Sequence, residues 1–211
     1  HICSYMKRPS LSKKSSLIFL GLLTILLRYP TTPAPTGTDN FYYISMAQTI
    51  LTNGEIFWAE NLLSLYGLFP GTTPLGATIL ATTLCSVTGL SIFQYIFFNG
   101  FLLSLLSTYG FFMLTGEFTN NHRSRLFATI CFSLAPRFIT FSIWRFSLRY
   151  ALIALLPFFV WLLLRLANFK YGRHPSRLIF LLSFLILIFP SLHRMGLLFP
   201  GIIIAFILST I

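Results

Sequence analysis

Apolar residues fill long unbroken blocks of this chain, and polar residues are confined to short stretches between them. The blocks run roughly over 15–29, 73–88, 92–115, 125–142, 151–167, 178–192 and 196–211. Continuous runs of this length predict helices rather than the period-two alternation of half-exposed strands. A helix that crosses a bilayer needs about 20 such residues. The 73–88 run is the weak one: "TPLGATILATTLCSVT" is roughly 24 Å long at 1.5 Å per residue, against a hydrocarbon core of about 30 Å.

Between the first two runs lies a polar stretch, "PTGTDNFYYISMAQTILTNGEIFW". Asp39 and Asn40 suit a helix N-cap, and Phe41, Ile44, Met46 or Ala47, and Leu51 recur at helical spacing. A helix over about 40–52 is expected, closed by Asn53-Gly54. It lies at the membrane surface with Tyr42 and Tyr43 at headgroup level.

Charge then orients the chain. Lys7, Arg8, Lys13 and Lys14 set the N-terminus in the cytoplasm. If 73–88 spanned, the basic loops "NNHRSR" and "NFKYGRHPSR" would both lie outside. With 73–88 not spanning, both are cytoplasmic. The expectation is an all-α polytopic membrane protein of about six transmembrane helices. Its large first external loop, residues 30–91, holds short amphipathic helices. Residues 143–150 and "SLHRMG" are external in this topology.

Composition agrees: the chain is 55% hydrophobic and 9% charged, with a mean hydropathy of +0.80. A formal charge of +11 would suggest nucleic acid in a soluble chain, but here it sits in membrane-flanking clusters, so no nucleic-acid partner is expected. Cys3, Cys85 and Cys131 show neither a disulfide framework nor zinc-ligand spacing. The basic start followed by "LIFLGLLTILL" also fits a signal peptide, but Arg28-Tyr29-Pro30 offers no small-x-small cleavage site. The chain opens on His, and its last apolar run stops without a polar flank. It is therefore read as the N-terminal part of one longer domain, over residues 1–211.

Three of the four acidic residues, Asp39, Glu55 and Glu60, fall in the external segment. Glu117 is expected beside Arg123 and Arg125 on the cytoplasmic side, in a structural role. Taken alone, Asp39 is either a capping residue or a carboxylate serving as base or metal ligand. The order Gly37-Thr38-Asp39, Asn40, an aromatic pair, a helix, Asn53-Gly54, then "FPGTTPLGATILATTL" and "TGLS" resembles the first external loop of GT-C fold membrane glycosyltransferases. Within these, the Gly37-Thr38-Asp39 triplet is most similar to the G-x-D motif of archaeal oligosaccharyltransferase catalytic subunits. The resemblance covers residues 16 to about 166.

The resemblance implies transfer of a sugar or oligosaccharide from a polyprenyl-phosphate-linked donor to a protein, lipid or glycan acceptor, at the external face of a prokaryotic, archaeal plasma membrane. It singles out Asp39 as the catalytic carboxylate. In the family, a D-x-D-like motif in the second external loop completes a Mg or Mn site with that carboxylate. Here the matching positions fall near Leu148, Arg149 and Tyr150, so metal dependence is in doubt and Asp39 is a metal ligand without partner acids. The loop offers Arg137, Arg145 and Arg149 instead. Arg145 and Arg149, four apart, suit a lipid phosphate; snorkelling to headgroups is the bland alternative. His193 and Arg194 form a second external polar point for the same substrate. The rival readings are a non-catalytic or degenerate GT-C relative and a lipid-linked-sugar transporter or flippase.

Overall fold

In the computed structural model of the chain, nearly all of the apolar blocks are helical. The structure describes residues 13–32, 35, 38–54, 59–60, 68–69, 76–143, 148–167, 175–192, 196 and 198–210. The helices among them are α1 (Lys13–Arg28), α2 (Thr38–Asn53), α3 (Gly76–Thr88), α4 (Ile92–Phe118), α5 (His122–Leu134), α6 (Pro136–Ser142), α7 (Leu148–Ala167), α8 (Pro175–Leu192) and α9 (Leu198–Thr210). A two-residue antiparallel pair, β1 (Ala59–Glu60) with β2 (Leu68–Phe69), joins Ala59 to Phe69 and Glu60 to Leu68. Among the described residues the fold is otherwise all-helical, as expected.

Local chemistry explains the boundaries. Gly54 and Gly89 follow α2 and α3 at φ +73°, and their N–H groups return to the carbonyls of Ile50 and Cys85, each at 2.9 Å. This is the left-handed helix stop that glycine adopts without penalty. The Asn53-Gly54 stop was expected from sequence. α4 opens on a capping box: Ser91 accepts from the Gln94 N–H and the Gln94 side chain accepts from the Ser91 N–H. Asn121 caps α5 by accepting from the Arg123 N–H at 3.0 Å.

One expected element is divided. The 125–142 run is two helices, broken at Ala135 with φ −56° and ψ 123°. Pro136 disfavours the helical conformation in the residue before it and itself brings no N–H, so α5 stops here and α6 begins with proline in its first turn, whereas Pro157 and Pro190 lie inside α7 and α8.

α4 is the central element, packed against α1, α5 and α7 along its length and against α2 and α3 at its start. Its 27 residues extend about 40 Å, roughly 10 Å beyond a 30 Å hydrocarbon core. The head of α4 carries a second layer: Ile92, Tyr95 and Ile96 form a buried cluster with Ile44 and Ala47 of α2 and Ala81 and Cys85 of α3. α3 has 13 residues, roughly 20 Å, and lies against α2 and the head of α4. By length and composition, two described helices can cross a membrane, Ile92–Phe118 and Arg149–Leu166 within α7.

The buried face of α2 follows its predicted spacing at Ile44, Met46 and Ala47 and departs from it at the ends, where Asn40 is buried while Phe41 is 63% and Leu51 37% exposed. The contacts with α3 and α4 select the face, and hydrophobicity alone did not. Farther down, α7 and α8 close with α9 around Phe159, Phe189 and Phe199.

Candidate functional site at one end of the bundle

Polar side chains inside the bundle form a connected line at the α2–α3 end. Thr24 of α1, fully buried, donates to the carbonyl of Leu20 at 2.7 Å, and its Oγ1 lies 3.2 Å from Thr108 Oγ1 of α4. Thr108 Oγ1 lies 3.3 Å from Ser133 Oγ of α5. One turn beyond Thr24, Arg28 is 2% exposed. Its Nη2 donates to the Ser133 carbonyl at 2.8 Å and its guanidinium stands 4.7 Å from the centre of the Phe138 ring. That carbonyl belongs to the last turn of α5, where peptide dipoles present negative charge, so a cation is well placed there.

Tyr150 completes this end. It is 1% exposed, and its hydroxyl shares a 2.5 Å hydrogen bond with Ser104 Oγ, which in turn donates to the Gly100 carbonyl at 2.7 Å. The Phe138 ring under Arg28 in turn lies 5.8 Å from the Tyr150 ring. Arg28 and Tyr150 thus tie the ends of α1, α4, α5 and α7 together. Neither was singled out as a site residue from sequence. The only signal was an arginine at the end of an apolar run, which equally marks a membrane boundary.

The expected site residues are distributed as follows. Asp39 lies in the first turn of α2, one turn before Tyr43 in register, so the helix begins two residues earlier than its spacing suggested. Tyr43 packs against a cluster of Ala77, Ala151 and Leu192, joined by Leu103, Leu155 and Ile188. Ala151 is in the first turns of α7, two residues after Arg149, which is exposed. Tyr43, four residues after Asp39, and Ala151, two residues after Arg149, thus share one cluster. Arg137 lies in α6. Arg145, His193, Arg194 and Glu55 lie outside the described residues, and Glu60 is in β1.

The described charged side chains at this end are the cations Arg28 and Arg149, and a hard cation requires several oxygen ligands, usually carboxylates. Among the described residues no group of three or more His, Cys, Asp or Glu could hold a metal ion.

The opposite end carries a separate polar set. Glu117 Oε1 accepts from Trp161 Nε1 at 3.1 Å and from Arg165 Nη1 at 3.2 Å. The carboxylate is thus held by α7, which corrects the expectation of Arg123 and Arg125 as its neighbours. Arg125 instead donates to the Phe112 carbonyl at 3.0 Å and lies 4.3 Å over the Phe112 ring. Gly116 leaves it room: a Cβ there would stand 2.8 Å from Arg125 Nη2. Proximity in sequence suggested the arginines of α5, but α4 turns its carboxylate toward α7. Ser16 Oγ and His122 Nε2, 2.9 Å apart, join the starts of α1 and α5.

Comparison with known protein families, with curated proteins and with solved structures finds no match.

Proposed function

We propose that this chain is the N-terminal helical part of a GT-C-like membrane glycosyltransferase acting on a polyprenyl-phosphate-linked sugar at the external membrane face. In this reading α1, α4, the broken α5–α6 pair, α7, α8 and α9 cross the bilayer. The segment 30–91 is external, with α2 and α3 seated on the overhang of α4.

Asp39 takes the proton of the acceptor nucleophile. The nucleophile forms its bond to the anomeric carbon as the bond from that carbon to the phosphate oxygen breaks. The phosphate leaves with the electron pair, and Arg145 and Arg149 neutralise its charge, with His193 and Arg194 as further contacts. No step is routed through a metal. A positioned base contributes on the order of 10²–10⁴-fold to rate.

The observation that supports the reading is the shared cluster of Tyr43 and Ala151, four residues after the carboxylate and two after an arginine. Arginine with carboxylate is the pair that departure of a lipid phosphate calls for. The rival is a non-catalytic GT-C relative, favoured by the cations standing where the family keeps acids. Membranes containing the chain, supplied with radiolabelled polyprenyl-phosphate sugar, separate the two: label moving to an acceptor supports transfer, and its absence across donor sugars overturns it.

A further inference from the structure

The starts of α1 and α5 are held side by side although they are far apart in the chain. Ser16 Oγ of α1 lies 2.9 Å from His122 Nε2 of α5, across 106 residues. The His122 ring in turn meets the Phe112 ring of α4 edge-on, with 5.9 Å between centroids, and Arg125 lies over that same Phe112 ring.

This junction gathers positive charge. Lys14 stands two residues before Ser16 and Arg123 one residue after His122, and both side chains are exposed. Among the described residues neither has an acidic partner, and the acid at this end, Glu117, is held by Trp161 and Arg165 of α7. Cations left unneutralised at a membrane edge attract anionic headgroups.

Apolar surface begins directly beyond the cations. Ile18 and Leu22 follow Lys14 by one and two turns on the same face of α1, and each is 63% exposed. Phe127 follows Arg123 by one turn on α5 and is 69% exposed. The inward faces are closed: Ser16, Thr24 and Arg28 of α1 and Thr129 and Ser133 of α5 are buried. Each helix thus presents a cation at its head and bare hydrocarbon after it, the order of charge and chain in an anionic phospholipid. A soluble anion would match the cations alone, and an uncharged lipid the apolar surface alone.

We infer that the α1–α5 junction binds an anionic phospholipid of the cytoplasmic leaflet, with Lys14 and Arg123 at its headgroup phosphate and Ile18, Leu22 and Phe127 along its acyl chains. The site needs α1 and α5 to lie in a bilayer and is independent of the transfer chemistry, so a chain that transfers no sugar should still bind.

The test places the chain in phosphatidylcholine nanodiscs with phosphatidylglycerol carrying a photoreactive acyl chain as probe, and locates the crosslinks by mass spectrometry. Label is expected on peptides containing Ile18 to Leu22 and Phe127. Unlabelled phosphatidylglycerol should displace it at a concentration at least tenfold below that of added phosphatidylserine-free neutral lipid, and soluble glycerol phosphate should not displace it. Lys14→Gln and Arg123→Gln should each weaken binding about fivefold, the effect of one basic residue at an anionic surface, and together about 25-fold. Removing the same charge from another basic loop, with Lys170→Gln and Arg173→Gln, should change labelling at α1 and α5 less than twofold. Label confined to other helices, equal displacement by neutral lipid or by glycerol phosphate, or equal losses in the two double variants overturns the inference.

Discussion

A close contact between α4 and α7 gives a prediction whose sign reverses with its partner. A Cβ built on Gly110 of α4 would lie 2.7 Å from both Cδ2 and Cε2 of Phe158 on α7, and 3.1 Å from Cγ. Carbon atoms pack best at about 3.5–4.0 Å, so Gly110→Ala must displace the ring by roughly 1 Å. Overpacking of this kind costs about 1–3 kcal/mol. Replacing glycine by alanine inside a helix returns about 1 kcal/mol. The net expectation is a loss of about 1 kcal/mol. With Phe158→Ala the obstacle is gone, and the same Gly110→Ala change should stabilise by up to about 1 kcal/mol. Unfolding in mixed micelles titrated with dodecyl sulfate, followed by tryptophan fluorescence, reads all four corners of the cycle. Independent sites add within about 0.3–0.5 kcal/mol. Additive effects would refute the close approach of α4 and α7 at this level.

Other parts of the account are open to equally direct tests. Tyr150→Phe removes the hydroxyl shared with Ser104 and should cost about 1 kcal/mol in the same unfolding assay. Glu117→Ala strips the acceptor from Trp161 Nε1 and should cost about 1–3 kcal/mol. Glu117→Gln keeps an acceptor and should cost less than half as much, because the Arg165 partner is 56% exposed and such pairs contribute about 1 kcal/mol or less. In a background lacking Cys3, Cys85 and Cys131, Ser86→Cys should react with an impermeant maleimide in intact cells. Arg123→Cys should react only after permeabilisation; the reverse pattern would refute the proposed orientation.

Much of the architecture was legible because the signals were local. Long apolar runs gave the helices, Asn53-Gly54 gave the end of α2, and the length of 73–88 anticipated a short third helix. The break at Pro136 was equally local but lay hidden inside an apolar run, where proline does not lower hydrophobicity enough to end the block. What sequence did not yield depends on packing. Phe41 was expected on the apolar face of α2 and is exposed, while Asn40 is buried, because α3 and the head of α4 choose the face. Glu117 pairs with Arg165, 48 residues away, and sequence neighbours are no guide to such a partner. Arg28 looked like a boundary residue, and only the arrival of Ser133, Phe138 and Tyr150 from three other helices makes it a tie between them.

The central claim is that the first turn of α2 presents a catalytic carboxylate to a lipid phosphate, and Asp39→Asn tests it most directly. The variant keeps the shape and capping ability of the side chain, so the helix should form and membrane expression should match wild type. Transfer of labelled sugar from polyprenyl phosphate in membranes should fall by on the order of 10²-fold or more if Asp39 acts as the base. Transfer at the wild-type rate would contradict the account.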